Sequence, residues 1–189
     1  MGMPAAIRKE WTHEMWEQLP HQNGNRYEII DGELFVSPAP SWDHQDVLAE
    51  LYDLLRDYLK AHPVGLVRWS PADIQVDKRN VVQPDLFVAP LINGRKPRGW
   101  KDLTSLLLVI EVLSPGTARL DRIRKRSLYQ RFNVPEYWIV DGDARLIERW
   151  RPGDTRPEIL DHRIEWQPDS TALPLTIDLQ TLFKIAHNE

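Results

Sequence analysis

The amino-acid sequence predicts a mixed α/β fold, with helices packed around one mixed central sheet and β-hairpins appended to it. Three observations carry that prediction. Apolar residues at Val47, Leu48, Leu51, Leu54, Leu55, Tyr58 and Leu59 fall at helical spacing on one stripe. The segment Leu106 to Leu113 is apolar on both alternating faces, as a strand covered on two sides must be. A second helical stretch then separates that strand from another apolar one, Tyr137 to Val140. The resulting order is helix, three strands, helix, strand.

The elements follow in chain order. Trp11, Trp16 and Leu19 among charges suggest a short N-terminal helix before a loop at residues 21–25. In Tyr27 to Val36 the central Asp31-Gly32 supplies the positive φ angles that a two-residue hairpin turn requires. Ser41 is placed to cap the long helix, with Asp43 in its first turn, and Pro63 ends that helix near Ala61. Extended segments are expected at Leu66 to Trp69, Ala72 to Val76 and Val81 to Val88, followed by a polar link from Pro90 to Ser105. Ser114-Pro115-Gly116-Thr117 opens the next helix, which should stop near Asn133 because Pro135 follows. Asp141-Gly142-Asp143 turns the chain into an outer strand, Arg145 to Trp150, and Asp178 to Ala186 reads as a short capping helix.

Length and composition bound the function. A chain of 189 residues corresponds to a single domain over 1–189. With 42% hydrophobic and 28% charged residues it can bury a core and remain in solution. The apolar run Leu106 to Ile110 is far short of the roughly 20 residues of a membrane helix, and residues 1–10 have no apolar signal core, so the expected location is the cytoplasm. The lack of cysteine excludes disulfides, thiolate nucleophiles and thiolate-ligated metals, leaving oxygen and nitrogen ligands for any metal. A net charge of −4 means that a nucleic-acid partner would have to be met by local basic patches.

Glu111 is the strongest local anomaly, a carboxylate inside an apolar strand, where it must be paired or bound to a metal unless the strand emerges into solvent before Ser114. Asp85 sits in a second apolar stretch, and Pro84 restricts that stretch to an edge or an irregular position. If the two strands pair, their backbones lie roughly 4.8 Å apart and the carboxylates can share one divalent cation, Mg²⁺ or Mn²⁺ by donor type. The plainer reading of Asp85 is a strand start after Pro84. On a wheel of about 100° per residue, Asp121, Lys125, Leu128 and Phe132 share an arc of about 60°, with Arg119, Arg122 and Arg126 opposite. Asp121 and Lys125 also form an i,i+4 pair, whose plainer reading is a helix-stabilising surface contact. Arg124 and Arg131 lie near the apolar side, where a ligand would explain them.

Taken together, Tyr27-Glu28, Asp31-Gly32-Glu33, Ser41, His44, Pro84-Asp85, Ile110 to Pro115, Asp121, Lys125, Tyr129 and Val134 to Trp138 resemble the Uma-two family of putative restriction endonucleases, within the PD-(D/E)XK nuclease superfamily. The resemblance covers about residues 27–150 and implies a restriction-endonuclease-like core, with the N-terminal helix and C-terminal cap appended. It implies metal ligation by Asp85 and Glu111, with Glu28 as the upstream acid. The superfamily lysine normally lies two residues after the acid, where this chain has Leu113; the family's lysine on the following helix matches Lys125. The implied activity is metal-dependent hydrolysis of phosphodiester bonds in nucleic acid, DNA above RNA.

In that reading Lys125 orients or deprotonates water, or stabilises the pentacovalent oxygens, while His44, Asp121, Arg124 and Tyr129 are candidates to touch substrate. His44 has a plainer reading as a polar residue at a helix start. Arg119 to Arg131, with six basic residues against Asp121, and Arg95, Lys96, Arg98 and Lys101 in the link are candidate phosphate contacts or simply solvated faces. A homodimer is expected, since cutting a duplex takes two active sites or two sequential events. The alternatives are a nuclease-like module that binds nucleic acid without cutting and a scaffold or interaction protein.

Overall fold

The computed structural model describes residues 10–19, 25–99 and 102–189. The chain runs α1 (His13–Trp16), β1 (Arg26–Ile30), β2 (Glu33–Ser37), α2 (Trp42–Ala61), β3 (Gly65–Trp69), β4 (Ile74–Asp77), β5 (Asn80–Val82), β6 (Leu86–Pro90) and β7 (Leu108–Val112). A π-helical segment (Leu120–Lys125) then leads into α3 (Arg126–Arg131), followed by β8 (Tyr137–Asp141), β9 (Leu146–Trp150), β10 (Glu158–Leu160), β11 (Arg163–Trp166), β12 (Leu175–Asp178) and α4 (Leu179–Ala186).

The central sheet has six strands in the order β10-β9-β8-β7-β6-β3, and it is mixed because β7 and β8 run parallel while the other neighbours are antiparallel. A four-stranded sheet, β2-β1-β5-β4, and the hairpin β11-β12 complete the architecture. The two faces of the central sheet have separate cores. Leu86 and Val88 of β6 and Leu108, Ile110 and Val112 of β7 pack with α2 and α4. Phe87, Ala89 and Val109 point the other way and pack with Leu128 and Tyr129 of α3 and Ile30 of β1. Side chains alternate along a strand, so Asp85 and Glu111 fall on this second face, and Glu28 shares its side of β1 with Ile30.

Several local readings hold. The hairpin turn uses Asp31 at φ 54° and Gly32 at φ 77°, as the Asp-Gly pair requires. Ser41 Oγ accepts the His44 amide at 3.4 Å to cap α2, and Asp178 accepts the Thr181 amide at 2.7 Å to cap α4. Asn133, at φ 51°, ends the second helical stretch.

Two readings change. The expected continuous strand Val81 to Val88 is broken at Gln83-Pro84-Asp85, and its halves belong to different sheets. Pro84 cannot donate to a ladder, and the Gln83 amide is taken by Glu28 Oε1 at 2.8 Å instead of a strand. The arc expected to bury Phe132 buries Tyr129 instead, leaving Phe132 42% exposed. The π-helical segment has i to i+5 bonding, which rotates later residues relative to an α-helical wheel, and Phe132 lies beyond the end of α3. The loop at residues 21–24 and the basic Lys101 lie outside the described residues. Among those described, no helix is long and apolar enough to cross a membrane.

Candidate active site

The site forms where the second face of the sheet meets the basic helix. The register Leu86↔Ile110 sets Asp85 opposite Glu111 at the end of the β6–β7 pairing. Asp85 Oδ2 accepts the Val112 amide at 2.9 Å, tying the Pro84 break to β7. The other Asp85 oxygen pairs with the Arg26 guanidinium, and His44 Nε2 lies 3.0 Å from Oδ2. Burial alone would raise the Asp85 pKa, but the His44 hydrogen bond and the Arg26 charge prevail and hold it well below the usual carboxylate range.

Lys125 enters from the π-helical segment and is the hub. Its Nζ donates to Glu111 Oε1 at 2.9 Å and lies 3.0 Å from Glu28 Oε2 and 3.5 Å from Asp121 Oδ1. All four side chains are nearly sequestered from solvent. Desolvation opposes the Lys125 charge, yet Glu111, Glu28 and Asp121 raise its pKa well above the ordinary lysine value. Glu111 is raised well above the ordinary carboxyl value, first by burial and then by Asp85, Asp121 and Glu28, against the pull of Lys125. Asp121 is raised for the same leading reason. The two sheet carboxylates are therefore shifted in opposite directions.

These groups line one cleft with a cavity volume of about 220 Å³, together with Pro38 to Ser41 and the Ser114 to Thr117 turn. The cleft brings together Asp85, Glu111, Lys125, Glu28, His44 and Asp121. Two other sequence candidates stand elsewhere. Tyr129 is buried behind Glu111 and donates to its Oε1 at 3.2 Å, a position that supports the carboxylate and does not reach the cleft. Arg124 lies on the surface and pairs with Glu33 of β2 at 3.1 Å. Arg131 likewise pairs with Asp31, and Arg122 pairs with Asp141 and Glu148, so much of the basic run secures neighbouring elements. Arg26 is the site residue the sequence reading missed. Its signal was the two-residue spacing to Glu28, which puts both on one side of β1.

The donor set suits a hard divalent cation. Four buried carboxylates, Glu28, Asp85, Glu111 and Asp121, face two permanent cations, Arg26 and Lys125. With all four ionised, the surplus equals the charge of one divalent ion. Asp121 Oδ1 and His44 Nδ1 are buried without a hydrogen-bond partner among the described residues. Among the described residues, no group of three or more Asp, Glu or His is disposed as a ready ligand set.

The fold is similar to the crystal structure of a protein from Anabaena variabilis described as "a putative nuclease belonging to DUF820", with a TM-score of 0.75 and 17% identity over 93% of this chain and 99% of that one. An uncharacterised protein of Synechocystis sp. is 26% identical over 153 residues, 80% of this chain and 79% of its own. The family model described as "Putative restriction endonuclease" matches residues 13–183, nearly the whole chain, which therefore belongs to the Uma2 family.

Proposed function

We propose that the chain is a metal-dependent endonuclease that hydrolyses phosphodiester bonds of nucleic acid, DNA above RNA, with Mg²⁺ or Mn²⁺. The observation that carries this reading is the convergence of Asp85, Glu111 and Glu28 with Lys125 in one cleft. Asp85 and Glu111 would hold the cation, with Glu28 beside them. Such an ion supplies charge neutralisation at the phosphoryl oxygens and a more acidic attacking water. Lys125 acts as an ammonium: its raised pKa suits it to orient water and offset the pentacovalent charge, not to abstract a proton. His44 is fixed through Nε2 by Asp85, and it can give a proton to the leaving oxygen from Nδ1 only when both ring nitrogens are protonated. The exposed Arg119 and Arg124 flank a groove that shares Ser37 and Gly116 with the cleft and offer a path for neighbouring phosphates.

One observation favours a second reading, a nuclease-like module that binds without cutting. Both Asp85 oxygens are engaged by Arg26, His44 and the Val112 amide, so ligation there requires Arg26 to move. Incubation with supercoiled plasmid, single-stranded DNA and RNA separates the two. Cleavage in Mn²⁺ or Mg²⁺ that is abolished by EDTA and by Asp85→Ala is the expected result. Binding by the parent chain with no cleavage under any of these conditions selects the second reading.

A further inference from the structure

Arg26 and Asp85 form a wall shared between the cleft and a second pocket of about 240 Å³. Leu48 and Leu86 give this pocket an apolar lining, to which Tyr52 of α2 and Trp69 of β3 add two aromatic rings. The two rings have centroids 4.6 Å apart and stand at 81°, giving two aromatic planes almost at right angles. Trp69 lies on β3, the edge strand of the central sheet, and 53% of its surface is exposed, more than filling the core would need. The Arg56 guanidinium lies over the Tyr52 ring, 5.5 Å from its centre. Gln45 stands on the same face of α2, exposed, and its side-chain amide makes no hydrogen bond among the described residues. The pocket thus offers flat apolar walls, one free amide that can donate and accept, and a cationic side chain at the border with the cleft.

We propose that this pocket takes one unstacked nucleobase of the substrate strand, next to the phosphate held in the cleft, so that the protein selects unpaired nucleotides. The inference rests on the nucleic-acid substrate of the reading above and adds which form of the strand is bound. A flat ring of either base class can lie against the indole, which makes such stacking tolerant of sequence, and the Gln45 amide can meet the base edge. Because Arg26 and Asp85 border both spaces, the base and the reacting phosphate belong to the same nucleotide or to adjacent ones. A paired base remains in its stack and cannot enter.

Binding measured in EDTA tests the pocket without requiring cleavage. Fluorescence anisotropy compares a labelled short oligothymidine, an abasic strand with the same phosphates, and the same strand in a duplex. The parent chain should bind the intact strand about tenfold or more tightly than either comparison. Trp69→Ala should reduce that ratio to near one, while Trp69→Phe, which keeps a stacking face, should preserve most of it. Equal affinity for intact and abasic strands in the parent, or an unchanged ratio in Trp69→Ala, overturns the inference. Base-dependent binding without metal-dependent cleavage leaves it standing and removes the nuclease reading; cleavage without base dependence does the reverse.

Discussion

Without its ammonium, Lys125 would leave Glu28, Glu111 and Asp121 facing one another in a nearly water-free site. Lys125→Met should therefore destabilise the chain by about 3–5 kcal/mol, the usual cost of removing one side of a buried charge pair. Glu111→Gln differs, because Lys125 keeps two carboxylate partners and the buried repulsion falls. That variant should be as stable as the parent or more stable at neutral pH. The pH dependence separates them further. The folded-state pKa of Glu111 lies above its ordinary value of 4.5, so the folded chain binds the extra proton and stability falls as pH rises through the interval between the two. The advantage of Glu111→Gln should grow across that interval. Asp85 has the opposite sign: its lowered pKa gives stability above the ordinary 3.8 that is lost as pH falls towards the folded value. Urea unfolding of the three proteins between acid and neutral pH reads both slopes, and a Glu111→Gln variant less stable than the parent at neutral pH would sink this account.

At the scale of elements, the site lies at two interruptions of regular structure. The Pro84 break sends β5 and β6 into different sheets and frees Asp85 to face Glu111, while the π-helical segment carries Asp121 and Lys125, both buried. The sequence reveals the residues and much of the framework: the Asp31-Gly32 turn, the Ser41 cap, the β7 run and the carboxylates Asp85 and Glu111 inside apolar stretches are all local patterns. It does not reveal the division of Val81 to Val88, because apolar periodicity reports burial and is silent on which sheet provides the partner. The π-helical bonding is equally hidden, since a helical wheel assumes α geometry throughout, and the wheel therefore puts Phe132 inside and gives Tyr129 no packing role. The β3–β6 pairing brings Trp69 beside Asp85, and it depends on a close approach at Gly65. A Cβ there would lie 2.6 Å from the Ala89 carbonyl oxygen, a backbone atom that cannot easily give way. Gly65→Ala should cost about 1–3 kcal/mol through this overpacking. Denaturant unfolding with no loss of stability would show that the two strands can separate freely.

At the scale of the molecule, a net charge of −4 is combined with a cleft whose carboxylates outnumber its fixed cations by two. A homodimer, the assembly expected from the sequence, stands as a working proposal, and light scattering should then give twice the 22.1 kDa chain mass; a monomer across working concentrations would refute it. The charge surplus makes a stronger demand on the fold. In the absence of a divalent ion, the buried carboxylates carry a repulsion that Arg26 and Lys125 only partly offset, and Glu111 relieves some of it by retaining its proton to higher pH. A cation held by Asp85 and Glu111 would replace that strain with attraction in the folded chain alone. At about 100 times its Kd, Mn²⁺ should then add roughly 2.7 kcal/mol of stability. For a chain of this length that corresponds to a rise of about 5–10 °C in Tm. Asp85→Asn and Glu111→Gln should each lose most of the rise, even though Glu111→Gln starts at or above the parent. Gly65→Ala should start lower and keep it, because its defect lies in the strand pairing and not in the donor set. Thermal melts of the four proteins with EDTA and with Mn²⁺ decide the point: an equal rise in all four would place the ion elsewhere, and no rise in the parent would favour the module that binds nucleic acid without cutting.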